Sequence, residues 1–184
     1  MALSAGAYLW ISRAPGEPDA TQREGADLLA QGRTAEAIGA FERSLAERED
    51  AATRVQLAGA LKAVGRPEDA SREYKRALTL DPRNAVAWFN FGNLLRVDFK
   101  DVRSALEAYR KATECDPSFG EAQFSLGGML LETGDYETAI LTLQSALQVA
   151  KPDAPWRTDA QNALDLARLR SLEKQGKLKP PRDS

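Results

Sequence analysis

The 184-residue sequence contains no histidine and one cysteine, and each scarcity removes a class of chemistry. Without histidine the chain lacks the side chain most used as a general base near neutral pH and as a metal ligand. With Cys115 alone it forms no internal disulfide and no cysteine-based zinc cluster, so Cys115 reads as a small packing residue. No G-x-x-x-x-G-K-[ST] loop, G-x-S-x-G elbow or G-x-G-x-x-G turn occurs, and Gly127-Gly128 falls inside a helical pattern. Surface carboxylate pairs remain, but these read as salt-bridge partners. No catalytic residues, metal ligands or cofactor site are assigned, and the chain reads as a non-enzyme.

Charge of one sign is also missing. Twenty-five basic residues against 27 acidic ones give a net charge of −2, with an isoelectric point near 5.4. The two signs alternate along the helical segments as solvated faces, so no electrostatic footprint for nucleic acid is present. Only the stretch through Lys174, Lys177, Lys179 and Arg182 is basic, and residues 176–184 read as a flexible tail. The apolar start, MALSAGAYLWIS, is uncharged but has only 12 residues, whereas a bilayer core needs about 20. It lacks the basic n-region of a signal peptide. Residues 1–12 read either as the last turns of a truncated membrane anchor or as an apolar strand of chain lying on the first unit. Residues 13–17 make the linker of this 1–17 segment.

What the chain has is a repeat. Ala37, Ala70, Ala105 and Ala139 recur at gaps of 33, 35 and 34 residues. Each is preceded by a small residue (Gly25, Ala58, Gly92, Gly127) and followed four places on by Phe41, Tyr74, Tyr109 or Leu143. Ser44, Ala77, Ala112 and Ala146 complete the column, and Asp81-Pro82 and Asp116-Pro117 close the middle units. A period of this size predicts one helix pair per unit, each burying its apolar face on the next. Small residues let the helix axes approach, and the aromatics or leucine fill the space beside them. Leu28, Leu61, Leu95 and Leu130 fall on the same packed face.

The pattern Trp88-x-x-Phe91-Gly92-x-x-Leu95, Ala105, Tyr109, Ala112, Pro117 resembles the tetratricopeptide repeat. Four units follow, over residues 18–50, 51–84, 85–119 and 120–153. The expected fold is all-α, an α-solenoid of four helix-turn-helix units. A C-terminal capping helix over 154–175 is expected to have Trp156, Ala160, Ala163, Leu164, Ala167 and Leu169 as its inner face. Gly32, Gly65 and Gly134 mark turns, Pro67 a helix first turn, and Asn84, Asp101 and Asp135 helix starts. Ser118 and Glu121 predict a capping box. Thr21 and Glu24, where the third unit has Trp88 and Phe91, read as the wet edge of the stack. The third unit lacks the turn glycine and carries one extra residue over 97–101. Phe99 there either contacts a partner or, the favoured reading, folds back on its neighbours.

The resemblance places a ligand surface on the concave side, lined by first helices. Carried over unit by unit, it comprises Val55, Gln56 and Lys62, then Phe89, Asn90, Asn93 and Arg96, then Phe124, Ser125 and Leu131. Gln22, Arg23 and Leu29 are the first unit's share. Val55, Phe89 and Phe124 form an apolar strip, and the neighbouring amides both give and accept hydrogen bonds. Such a surface suits a peptide segment of a protein partner, bound at about −8 kcal/mol, unless adjacent helices cover the phenylalanines. The subtype that clamps a chaperone's terminal carboxylate does not fit, because Gln22, Ala26, Gln56, Val86 and Asn90 match it only at Asn90. The alternative function is a self-assembling structural module joined through the solenoid ends and the basic tail.

A second resemblance concerns the amino terminus. The apolar stretch followed by Arg13-Ala14-Pro15-Gly16-Glu17-Pro18-Asp19 is similar to the membrane-to-periplasm junction of the cytochrome c maturation subunit that presents apocytochrome for haem attachment. It implies a bacterial, periplasmic array tethered at the inner membrane, in preference to a cytoplasmic one, holding an unfolded client.

Overall fold

The computed structural model describes residues 19–177, and these form nine α-helices and no strand. The helices run in chain order as α1 (Ala20–Ala30), α2 (Thr34–Glu47), α3 (Ala51–Ala63), α4 (Pro67–Leu80), α5 (Ala85–Val97), α6 (Val102–Cys115), α7 (Gly120–Glu132), α8 (Tyr136–Val149) and α9 (Arg157–Lys174). Each helix packs on the next, and α3 also touches α1 and α5, as α9 touches α7. Odd-numbered helices therefore make one layer and even-numbered helices the other. The sequence reading of four hairpins and a further helix describes this architecture. The apolar and linker residues 1–18, and the tail beyond Lys177, lie outside the described residues.

Local chemistry sets the boundaries. The Asp19, Asp50, Asn84, Asp101 and Asp135 side chains each accept a hydrogen bond from the backbone N–H three residues on, occupying an otherwise unpaired donor. Pro67 opens α4 as expected. Gly32, Gly65 and Gly134 adopt φ of 75°, 76° and 81°, the left-handed conformation that ends α1, α3 and α7. In the third unit Lys100 supplies that conformation, at φ 56°. There the Asp101 N–H reaches back to the Leu95 carbonyl at 2.9 Å, six residues away rather than five, which absorbs the extra residue. Phe99 in this turn is 38% exposed, so it does not fold back fully.

Two other expectations fail. The Ser118–Glu121 capping box does not form. The Asp116 carboxylate accepts from both the Ser118 N–H and its hydroxyl, at 2.8 and 2.7 Å, and α7 starts without a side-chain cap. Leu169 is not on the inner face of α9 but 44% exposed; Ser171 is buried instead and donates to Glu137 at 3.1 Å. The buried residues Ala160, Leu164, Ala167 and Ser171 follow a 3–4 spacing that leaves Leu169 on the other side.

The glycine column is the packing device. A Cβ on Gly25 would lie 2.5 Å from Phe41, on Gly92 2.8 Å from Tyr109, and on Gly127 2.6 Å from Leu143. Phe41, Tyr109 and Leu143 are all fully buried. Each such side chain contributes about 1.5–3 kcal/mol of burial, and its seat exists only because the facing residue has no side chain. One apolar cluster runs through the first two units into α5 and a second from α6 to α9, with Leu95 packed against both.

The Trp88 column shows what replaces an aromatic. The Trp88 indole N–H donates to the Pro82 carbonyl at 2.9 Å. Its counterpart Arg54 is 8% exposed and is bridged to Glu49 and to the buried Glu73, which also holds Arg76. Gln123, one unit further on, donates to the Pro117 carbonyl at 2.6 Å.

Candidate interaction surface

The odd-helix layer carries every residue assigned to the ligand surface. At the amino-terminal end Gln22 is buried, and its amide donates to Gln56 Oε1 at 3.0 Å, so these two join α1 to α3. Arg23 is exposed, while Leu29 and Val55 are half-buried against the core. Lys62 lies 3.8 Å from the Asp98 carboxylate, a bridge from α3 to the end of α5.

Helix α5 is held by aromatic contacts. Phe89 is half-buried, with its ring centroid 6.0 Å from Tyr109 and 5.0 Å from Phe119. Asn93 Oδ1 accepts the Tyr109 hydroxyl at 2.8 Å. Burial raises the Tyr109 pKa, while the positive charge and hydrogen bond of nearby Arg96 pull against it. Asn90 is half-buried and its side chain makes no hydrogen bond among the described residues, and the same holds for the Ser125 side chain one unit on.

At the other end Phe124 stacks on Trp156, centroids 5.7 Å apart and planes 13° from parallel. Gly120 makes room for that indole, since a Cβ there would lie 2.8 Å from it. Phe124, Gly128 and Leu131 with Ala163 and Leu166 line a cleft of about 450 Å³, rimmed by Glu132, Tyr136, Asp159 and Arg170. The structure therefore keeps Phe89 and Phe124 partly accessible but fixes both in aromatic pairs, so the strip is a rigid surface rather than a set of free anchors.

Sequence reasoning missed Tyr109, Trp156, Ala163 and Leu166 as parts of this surface. The repeat gives Tyr109 a packing place alone, and Trp156, Ala163 and Leu166 sit 32 to 42 residues from Phe124 with no repeat register to align them. Glu24 and Asp27 stand with Arg23 on α1, Lys62 is paired with Asp98, and Arg170 joins Glu132 and Asp159 at the cleft, so both ends of the layer carry charges of both signs. No group of three or more His, Cys, Asp or Glu among the described residues is placed to hold a metal ion. No described helix is long and apolar enough to cross a membrane.

Two family models described as tetratricopeptide repeat match the chain, one over residues 28–89 and the other over 94–155, together about two thirds of it. No curated protein matches the sequence. Among solved structures, the crystal structure of MamA superposes with a TM-score of 0.62 at 20% identity, covering 88% of this chain and 99% of that one. A second, MamA AMB-1, gives 0.66 at 21% identity over 85% and 81%. At such identity the likeness is one of fold. The repeat period, the glycine column and the two family matches agree: the chain belongs to the tetratricopeptide repeat family.

Proposed function

We propose that this protein is a non-catalytic adaptor whose odd-helix layer holds an extended peptide segment of a partner protein. Membership of the repeat family supports a protein–protein interaction scaffold. One observation carries the finer reading: Asn90 and Ser125 stand a unit apart, half-buried and without internal hydrogen-bond partners, beside the half-buried rings of Phe89 and Phe124. Polar side chains in such places gain by pairing with the N–H and C=O groups of a bound backbone. The rings and the Phe124–Leu131–Leu166 cleft take an apolar side chain next to it.

The test is selection of peptides from a random library on the full chain, followed by titration of the selected peptides. Asn90→Ala with Ser125→Ala should weaken them by about thirtyfold, each of the two lost hydrogen bonds being worth roughly 1 kcal/mol, without lowering the melting temperature. Peptides that bind the double variant as tightly as the parent rule out this surface. A membrane tether through residues 1–12 belongs to the same reading. Co-flotation of the full chain with lipid vesicles, compared with a chain lacking those residues, decides it.

A further inference from the structure

Helix α9 ends as the first helices of complete units end. Gly176 takes φ 69°, beside 75°, 76° and 81° at Gly32, Gly65 and Gly134. The Lys177 N–H donates to the Leu172 carbonyl at 3.0 Å, five residues back. Arg33, Arg66 and Asp135 donate in the same way to Leu28, Leu61 and Leu130, each at 2.9 Å. In those three hairpins the turn sends the chain back along the helix it has just left, and α2, α4 or α8 packs there.

The turn also fixes the register of α9. Leu172 falls at the place of Leu28, Leu61 and Leu130, and Leu169 at the place of Gly25, Ala58 and Gly127. Those earlier residues are all buried, Gly25 beneath Phe41 and Gly127 beneath Leu143 of the returning helix. Leu169 and Leu172 are instead 44% and 38% exposed, and they mark the seat where a returning segment packs. A leucine in the small-residue place holds a second helix too far out for close packing, so the seat suits a thinner segment.

Past Lys177 the sequence runs Leu178-Lys179-Pro180-Pro181-Arg182. Pro180 and Pro181 oppose a helix, because neither has an N–H to donate and each drives the residue before it to extended backbone. In the polyproline II form, three residues per turn put Leu178 and Pro181 on one side, ~9 Å apart, and Lys179 and Arg182 on another. Leu169 and Leu172 are ~4.5 Å apart along α9, within that span. We infer that residues 178–184 form a strap that returns over α9 and covers Leu169 and Leu172 with Leu178 and Pro181. The strap closes the end of the stack in place of a second helix. Its two cationic side chains stay in water, and the Phe124–Leu131–Leu166 cleft, on another side of α9, stays open.

Nuclear magnetic resonance of the full chain with labelled leucine methyl groups tests this. The expected result is cross-relaxation from Leu178 and Pro181 protons to the Leu169 and Leu172 methyls, within one molecule in a mixture of labelled and unlabelled chains. Leu178→Asp with Pro181→Asp should shift the Leu169 and Leu172 methyl signals and leave those of Leu130 and Leu143 in place. Gly176→Val, which takes the left-handed turn only with strain, should lose the same contacts with the strap sequence unchanged. Absence of these contacts in the parent chain overturns the proposal. So do contacts that arise between molecules, methyl signals that ignore the strap substitutions, or contacts that survive Gly176→Val.

Discussion

Tyr109 donates its hydroxyl to Asn93 Oδ1 at 2.8 Å while its ring lies against Gly92, so one side chain serves both the packed column and the proposed ligand surface. The hydroxyl fixes which face of the Asn93 amide is presented. Tyr109→Phe keeps the ring seat and deletes that anchor. Stability should fall by about 1 kcal/mol, read by thermal unfolding, and selected peptides should bind more weakly than this loss of stability alone explains.

Adjacent glycines in α7 should respond with opposite signs to the same substitution. A Cβ at Gly127 meets Leu143 Cγ at 2.6 Å, whereas one at Gly128 meets nothing within 4 Å. Gly127→Ala should cost about 1–3 kcal/mol of overpacking, partly offset by better helix propensity. Gly128→Ala should gain roughly 0.5–1 kcal/mol. Urea midpoints of the two variants, on either side of the parent's, are the measurement.

Arg54 and Glu73 form an ion pair with both partners nearly buried. Removing Glu73 leaves the nearly buried Arg54 with Glu49 as its remaining partner, so Glu73→Leu should cost about 1.5–3 kcal/mol, and adding Arg54→Met should recover most of it. The hydrogen bond from Arg54 also holds the Glu49 carboxyl below the usual range. That contribution is present at neutral pH and is lost as pH falls through the lowered native pKa. The acid limb of the parent's stability curve should therefore flatten in Arg54→Met.

Burial pushes the Tyr74 phenol up to about 12. An unfolded chain ionises this group near pH 10, so between about pH 10 and 12 the unfolded state gains stability that the native state does not. Unfolding should become progressively easier over that window, by about 2 kcal/mol in total, and Tyr74→Phe should remove this share of the slope. Melting temperature against pH, with tyrosinate absorbance as the titration signal, reads both effects.

Lys100 takes a left-handed conformation where the other hairpins use glycine. Lys100→Gly should stabilise the third unit by about 0.5–1 kcal/mol, through relief of a clash of roughly 1–2 kcal/mol less the backbone entropy glycine adds to the unfolded chain. Differential scanning calorimetry of the single variant is sufficient.

The hairpins were legible because their signals are short in range and repeated. The glycine that seats Phe41, Tyr109 or Leu143 lies within one unit of it, and Asn84, Asp101 and Asp135 cap helices three residues away. The Arg54–Glu73 pair was not legible, since an arginine where another unit has Trp88 reads equally as an exposed edge. Nor was the loss of the Ser118–Glu121 box, because Asp116 competes for the same serine.

Taken alone, the amino-acid order determined the number of units, their turns and the small-residue seats on which they pack. These depend on a period that each unit repeats, so four copies correct one another. Only the tertiary structure decided how α9 rotates on α7 and α8, turning Leu169 outward and Trp156 onto Phe124. That rotation rests on contacts across more than thirty residues, made once, where no repetition in the sequence distinguishes a leucine that faces the core from one that faces water.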